Sequence, residues 1–405
     1  MKFIEKITKN NEGFYPNATE IQKICSEKLK LIPYPQNHYE NWRLTNKKKL
    51  TNFLDYSLND EFHYPKIPKE LLSKNVIRLI IGEKNKVNIK KDKFRIQELN
   101  DKEVITLLKE NIEDNEPEEN WSNLLNHCIT KKNNILGLKI SGRELPPLEI
   151  FTNSNNGFFS ARTLVLFIDE KTELEILQIN LGGSNSSLSL SSYLILEQEA
   201  KVNHGLISYG LTKSNLINSL NIIQKSNSEY NLGSLQFKFD FARFEASINQ
   251  VEGKAKTNIK GIQITENNEQ ISTFTKIKFN GPNGYLNQVN KSLANDKSHS
   301  IFEGSIIVPK IAQKTDASQL SRNLLLSKYA KIDTKPQLEI IADDVKCKHG
   351  ATISQLNENE LFYMRSRGLT LTEANKLQLK SYYQEVISFI PVSKERWNLI
   401  DYLIN

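Results

Sequence analysis

Between Thr163 and Leu356 lie nearly two hundred residues of short β-like runs with no helical pattern between them, and few folds accept such a stretch. Runs at 164–168, 174–179, 188–196, 235–241, 259–264 and 271–279 alternate in polarity or are enriched in β-branched and aromatic residues, which suit a pleated surface. Gly182, Gly183, Asn227, Ser228, Asn267, Asn268 and the segment 281–284 punctuate them as turns. The stretch is too long for one ordinary sandwich, which leaves a barrel, a jelly roll or a β-helix solenoid. No strict hexapeptide or nonapeptide repeat chooses among the three.

Helical patterns flank this β core. Ile21, Ile24, Leu29 and Ile32 recur at helix-like intervals before Pro33 and Pro35, and Val104, Leu107 and Leu108 stripe a helix predicted over 101–112. A short strand is predicted over 76–81, and Pro146 and Pro147, with the turn-rich segment 153–157, mark a boundary. Beyond Leu356, Thr370 and Glu373 form a capping box at the head of a helix that carries Ala374, Leu377, Leu379, Tyr382, Tyr383 and Val386 and stops at Pro391. A second short helix is predicted over 394–403. The expected organisation is a mixed, largely helical N-terminal subdomain over 1–145, a β core over 146–356 and a helical C-terminal subdomain over 357–405.

Composition narrows the function. No run approaches eighteen consecutive apolar residues, and the mean hydropathy is −0.49, so no membrane contact is expected. Residues 1–10 show no secretory pattern, and Cys25, Cys128 and Cys347 are too few and too scattered for a disulfide framework or a self-sufficient zinc site. A reduced, cytoplasmic protein is expected. The net charge of +7 is partly local, in Lys47, Lys48 and Lys49 and in Lys84, Lys86, Lys90, Lys91, Lys93 and Arg95. An acidic run of Glu113, Asp114, Glu116, Glu118 and Glu119 follows. Both read as solvated faces, and without interleaved aromatics or a known module no nucleic-acid partner is expected. There is no P-loop, no G-x-S-x-G, no H-E-x-x-H and no G-x-G-x-x-G.

The segment 337–350, Q-L-E-I-I-A-D-D-V-K-C-K-H-G, carries the candidate chemistry. On a strand, residues two apart share a face, so Asp343, Val345, Cys347 and His349 would project together and Asp344, Lys346 and Lys348 oppositely. A thiol beside an imidazole is part of a site for a soft or borderline metal, and Lys346 and Lys348 would favour the thiolate. Two donors do not complete a site, so others must be borrowed, another chain being one source. A structural cysteine beside a strand-end histidine is the competing reading. His38, His63, His127 and His204 read as surface or structural residues, and His299 opens a strand. A β-helix carbohydrate lyase or hydrolase is the alternative enzyme class, but Asp343 and Asp344 are adjacent, face opposite ways and make a poor catalytic pair.

Several segments together resemble a known family. They are H-S-I-F-E-G over 299–304, Q-K-T-D-A over 313–317, R-N-L-L-L-S over 322–327, T-K-P-Q-L-E-I over 334–340, A-D-D-V-K-C-K-H-G-A-T over 342–352 and L-F-Y-M-R-S-R-G over 361–368. E-N-W-R-L-T over 40–45 and V-N-H-G over 202–205 add to them. The chain resembles the SufB/SufD family of the SufBCD iron–sulfur cluster assembly complex. Leu324 and Ser327 stand where the SufB branch typically has cysteines, and Cys347-Lys-His349-Gly350 replaces an E-H-E-type segment, so it sides with the SufD branch; a SufB-like paralogue is the alternative. The resemblance implies a mainly β chain: a right-handed parallel β-helix core with helical N-terminal and C-terminal subdomains. It implies a non-catalytic scaffold that pairs with SufB through the β-helix cores and docks the SufC ATPase on the C-terminal helices, with a homodimer as an option for the lone chain. Cys347 and His349 match the family's functional cysteine and histidine at the SufB interface, with Asp343, Lys346 and Lys348 as accessory residues. Arg365, Ser366, Arg367, Gly368, Leu377 and Tyr382 fall in the implied SufC-docking segment. No cofactor is expected to stay bound to the chain alone; iron or an iron–sulfur cluster would be held transiently in the complex.

Overall fold

Runs of about ten residues, most of them followed by a turn with one residue in a left-handed backbone, wind the middle of the chain into a parallel β-solenoid of about eight turns. The structure is a computed structural model that describes residues 20–32, 34, 35, 39–58, 63, 72–82, 87–91, 93–113 and 120–391. Successive strands alternate between two sheets. The first carries Ile135–Gly142, Phe158–Ile168, Ser187–Leu196, Asn215–Gln224, Phe241–Gln250, Gln270–Phe279, His299–Val308 and Lys331–Ile340. The second carries Leu148–Asn153, Glu173–Gly182, Lys201–Gly210, Glu229–Phe237, Lys256–Thr265, Tyr285–Ala294, Asp316–Leu325 and Lys346–Ser354. Every neighbouring pair within these two sets is parallel and in register. The turns between strands place Asn185, Asn227, Asn267, Asn283 and Asp296 at positive φ, which Asn and Asp accept at lower cost than other side-chain-bearing residues. Lys171, Glu199, Lys213, Lys238, Lys254 and Lys314 take the same conformation in other turns.

The register also explains why no repeat was visible. Asn215 pairs with Phe241, Lys256 with Tyr285 and Tyr285 with Asp316, so successive coils occupy 26, 29 and 31 residues. The expected parallel β-helix with helical ends is what forms. Its first strand, Ile135–Gly142, lies ahead of the Pro146 break, and the predicted strand and helices appear as Ile77–Ile80, Glu20–Leu31 and Asp101–Glu113. The helix predicted over 394–403, most of the acidic run, and Lys84, Lys86 and His38 lie outside the described residues.

Both outer faces of the solenoid are covered, by different ends of the chain. Helices Lys47–Leu54 and Trp121–Ile129 bring Leu50, Phe53, Trp121, Leu124 and Leu125 onto Phe159, Val165, Tyr193 and Phe241 of the first sheet. The second sheet is covered by helix Leu371–Ile387, whose Tyr383, Val386 and Ile387, with Ile390 just beyond, pack on Leu177, Ile179, Ile207, Leu235, Phe237 and Ile262. Between the sheets runs a continuous aliphatic core from Leu138 and Leu148 to Val308 and Ala317. Among the described residues, no helix is long and apolar enough to cross a membrane.

The two ends of the solenoid differ. At the start, Phe94–Glu98 pairs antiparallel with Ile135–Gly142, and Ile77–Ile80 pairs with Leu148–Asn153. At the finish, among the described residues, Lys331–Ile340 and Lys346–Ser354 each have a strand on one side only. Apart from Ile332, their residues are half-buried or exposed although their sequence continues the core pattern, because no further coil of the described residues covers them. The solenoid ends open.

Candidate functional site

Cys347 and His349 sit on this last strand. In a parallel ladder, paired residues leave the sheet on the same side. Cys347 is paired with Ala317, a core residue, and His349 with Gln319, which is buried between the sheets. Both therefore share one face, as the alternation predicted, and that face is the inner one, which no further coil of the described residues covers. Cys347 is half-buried against the core, and His349 is exposed.

Two expectations about their surroundings need correction. The strand begins at Lys346, so Asp343 and Asp344 do not share its alternation: they lie in a bend, pinned where Lys314 N–H donates to Asp344 C=O at 2.6 Å and Gln313 Oε1 accepts from Asp344 N–H at 2.9 Å. Asp343 is not aligned with Cys347 by strand geometry. Nor is the thiolate favoured. Burial raises the Cys347 thiol above its ordinary value, and Asp316 adds to the rise, against a hydrogen bond from the Ala317 backbone that lowers it. Lys346 and Lys348 are exposed, in solvent that screens their charge. Cys25 and Cys128 are buried more deeply, and burial pushes Cys128 up to about 12. Iodoacetamide should accordingly modify Cys347 first in the native protein, more slowly than a free peptide thiol at the same pH. Peptide mass spectrometry reads the order, and earlier labelling of Cys25 or Cys128 would contradict it.

The other histidines divide as their surroundings dictate. His127 Nε2 lies 2.6 Å from the Tyr193 hydroxyl and His204 Nδ1 2.8 Å from that of Tyr230; burial holds both imidazoles down at about 3, so they are neutral core residues. His299 Nε2 meets Asp333 at 2.6 Å, and its other nitrogen lies 3.1 Å from Gln270 Nε2. Gln270 in turn accepts from Asn46 N–H and donates to the Leu44 carbonyl, so this cluster clasps the 40–45 segment onto the first sheet. Within that segment Trp42 stacks over the buried Arg243 guanidinium, 3.7 Å from the ring centre, while Phe274 covers its other side at 3.8 Å. These matching motifs are structural clasps. Among the described residues, no three His, Cys, Asp or Glu side chains gather to hold a metal ion.

The C-terminal candidates separate into two groups. Arg365, Ser366, Arg367, Gly368 and Leu377 are exposed, and Gly368 takes a φ of 96° that turns the chain from helix Glu358–Ser366 into the capping box of Thr370 and Glu373. Tyr382 does not belong with them. Its hydroxyl donates to the Arg322 carbonyl at 2.6 Å, and its ring lies 4.5 Å from Lys291 Nζ, which also pairs with Glu385 at 2.7 Å. This side chain anchors the helix to the solenoid. Sequence reading missed Phe362 and Tyr363, which are 74% and 60% exposed on the first of the two helices. Tyr363, with Leu377 and Met364, lines a groove of about 560 Å³ between the helices and the last coils.

Comparison with known proteins agrees with this architecture. Residues 150–382 match the family model described as SUF system FeS cluster assembly, SufBD core domain. A SufBD family iron–sulfur cluster assembly protein of Synechocystis is 30% identical over 318 residues, 68% of this chain and 69% of that one. The iron–sulfur cluster assembly protein SufD of Escherichia coli is 39% identical over 140 residues, 34% of this chain and 33% of that protein. SufD of Plasmodium berghei is 30% identical over 252 residues, covering 59% of this chain but 18% of its own length.

Proposed function

Because the chain belongs to the SufBD family of iron–sulfur cluster assembly proteins, we propose that it is a scaffold subunit whose open solenoid end pairs with a SufB-type partner and presents His349 and Cys347 to iron or to a nascent cluster. The observation that carries this reading is a coincidence of place. The two strands with a free outer edge among the described residues, Lys331–Ile340 and Lys346–Ser354, form the same coil that bears the two candidate ligands. Unpaired strand edges invite another chain to continue the sheet, and Ile340, Ile341 and Ile353 add exposed apolar surface at this end. A partner seated there would bury the inner face that now holds His349 and Cys347 at its rim. Thiolate and imidazole are both known cluster ligands, and a partner's side chains would supply the remainder. Iron and the cluster are cargo here, built and passed on.

The exposed aromatic face of the C-terminal helices is the surface proposed for SufC. It lies on the outside of the second sheet, joined to the last strand through 355–357, so a movement of the helices reaches the open end through a short connection. Nucleotide-driven engagement of SufC would then shift the two scaffolds between closed and open arrangements of the shared site. On this reading the chain itself turns over no ATP. Co-expression with SufB and SufC, co-purification, and anaerobic reconstitution followed by absorption spectroscopy test the function. A ternary complex with a cluster chromophore is expected, whereas a chain that co-purifies with neither partner would refute it.

A further inference from the structure

The inner face of the second sheet carries a polar column through its last coils. Gln288, Gln319 and His349 are register partners on successive strands, so their side chains leave the same side of the sheet. Gln288 Nε2 donates to Thr275 Oγ1 at 2.9 Å, and Gln319 Nε2 donates to Gln288 Oε1 at 3.0 Å. The Gln319 amide reaches across the lumen to Gly304 of the opposite sheet, where a Cβ would stand 2.3 Å from Gln319 Nε2 and would push the amide aside. Both amides thus donate back down the solenoid. The upper end of the relay is Gln319 Oε1, and although Gln319 is 1% exposed, this oxygen accepts no hydrogen bond.

A buried acceptor without a donor is costly; Gln178, Gln236 and Gln250 carry such oxygens deeper in the solenoid, and Gln319 Oε1 is the one in register with His349. The coil above offers few donors. Across the lumen, Gly304 is paired with Pro336, whose ring has no donor, and the Thr334 hydroxyl already donates to Ser321. On the same strand face, directly in register with Gln319, stands the imidazole of His349. In the isolated chain that imidazole is exposed to solvent.

We propose that Gln319 is a positioning residue for His349: its side-chain carbonyl accepts the N–H of one ring nitrogen and leaves the lone pair of the other facing out of the open end toward iron. The bond closes when a partner covers this end and the imidazole folds onto Gln319. A histidine that binds metal through one nitrogen characteristically donates the other N–H to an oxygen, which fixes its orientation and raises its basicity. The inference rests on the reading of His349 as an iron ligand, and the test separates the two.

The experiment uses the complete chain in complex with SufB, reconstituted anaerobically with ferrous iron and sulfide and reduced with dithionite. Electron spin-echo envelope modulation then detects nitrogen bound to the paramagnetic cluster and the quadrupole coupling of the far ring nitrogen, which falls as its hydrogen bond strengthens. Gln319→Leu should keep the bound-nitrogen signal, raise the far-nitrogen coupling and lower iron affinity by about 10–100-fold. Gln319→Glu, which keeps an acceptor and adds charge, should lower the coupling. An unchanged coupling in both variants overturns the role of Gln319. Should Gln319→Leu retain no cluster, Gln319→Glu decides, and an unchanged coupling there overturns it alone. If His349→Ala leaves the nitrogen modulation intact, the ligand reading of His349 falls instead.

Discussion

His349→Ala should lower iron–sulfur cluster assembly in cells by well over an order of magnitude, while Cys347→Ala lowers it far less. The asymmetry follows from where the two side chains lie. His349 is exposed at the rim of the open end. Cys347 is packed against the core, and its thiol is held in the protonated form by burial, so at neutral pH it is a poor ligand until something displaces the proton. Loss even of an outer partner of a metal-bound histidine costs about 10–100-fold in affinity, and loss of the ligand itself should cost at least as much. Neither substitution removes a large buried apolar volume, so far-UV circular dichroism and pairing with SufB should stay unchanged. Normal assembly in His349→Ala with failure in Cys347→Ala would reverse the assignment and make thiol chemistry the essential step.

The second large effect concerns the C-terminal helices. Removing residues 370–405 would abolish SufC binding, but it would also strip Tyr383, Val386, Ile387 and Ile390 from the apolar outer face of the second sheet, and so would confuse docking with folding. Phe362→Asp and Tyr363→Asp avoid this, because both side chains are mostly exposed and substitutions at such positions usually change stability by less than about 0.5 kcal/mol. If these aromatics anchor SufC, each should contribute about 2 kcal/mol or more to the interface, a loss of about 30-fold in affinity apiece. Isothermal titration of SufC into the complex measures the effect. Wild-type affinity in the double variant would move the docking surface elsewhere.

How much of this was legible in the sequence depended on which physical signal each element carries. The strands were readable because one inward face forces alternation, and the capping box of Thr370 and Glu373 announced its helix directly. The choice of a solenoid over a barrel was not, because the coils differ in length and leave no fixed period; the family motifs supplied it. At the site, alternation correctly placed Cys347 and His349 on one face but could not show where the strand begins, so Asp343 was carried into it although the chain bends there. The sign of the Cys347 shift was misjudged because charge is written in the sequence and burial is not. Tyr382 was grouped with the implied docking segment although it fits against Arg322 and Lys291, because position in the helix does not show which side chains face the solenoid. Gln319 drew no notice for the opposite reason: a lone glutamine in an alternating strand looks solvent-facing. Its signal exists only in register, where His204, Gln288, Gln319 and His349 occupy one inner column.

The most direct test of the open end as the pairing surface is hydrogen–deuterium exchange of the whole chain with and without SufB. Backbone amides that lack a neighbouring strand exchange readily and become protected when a new strand bonds to them. Addition of SufB should slow exchange over 331–340 and 346–354 by about tenfold or more, and leave the coils between 187 and 279 unaffected. Tight SufB binding with no protection of those two strands, or with protection confined to the first coils, would contradict a shared site built on Cys347 and His349.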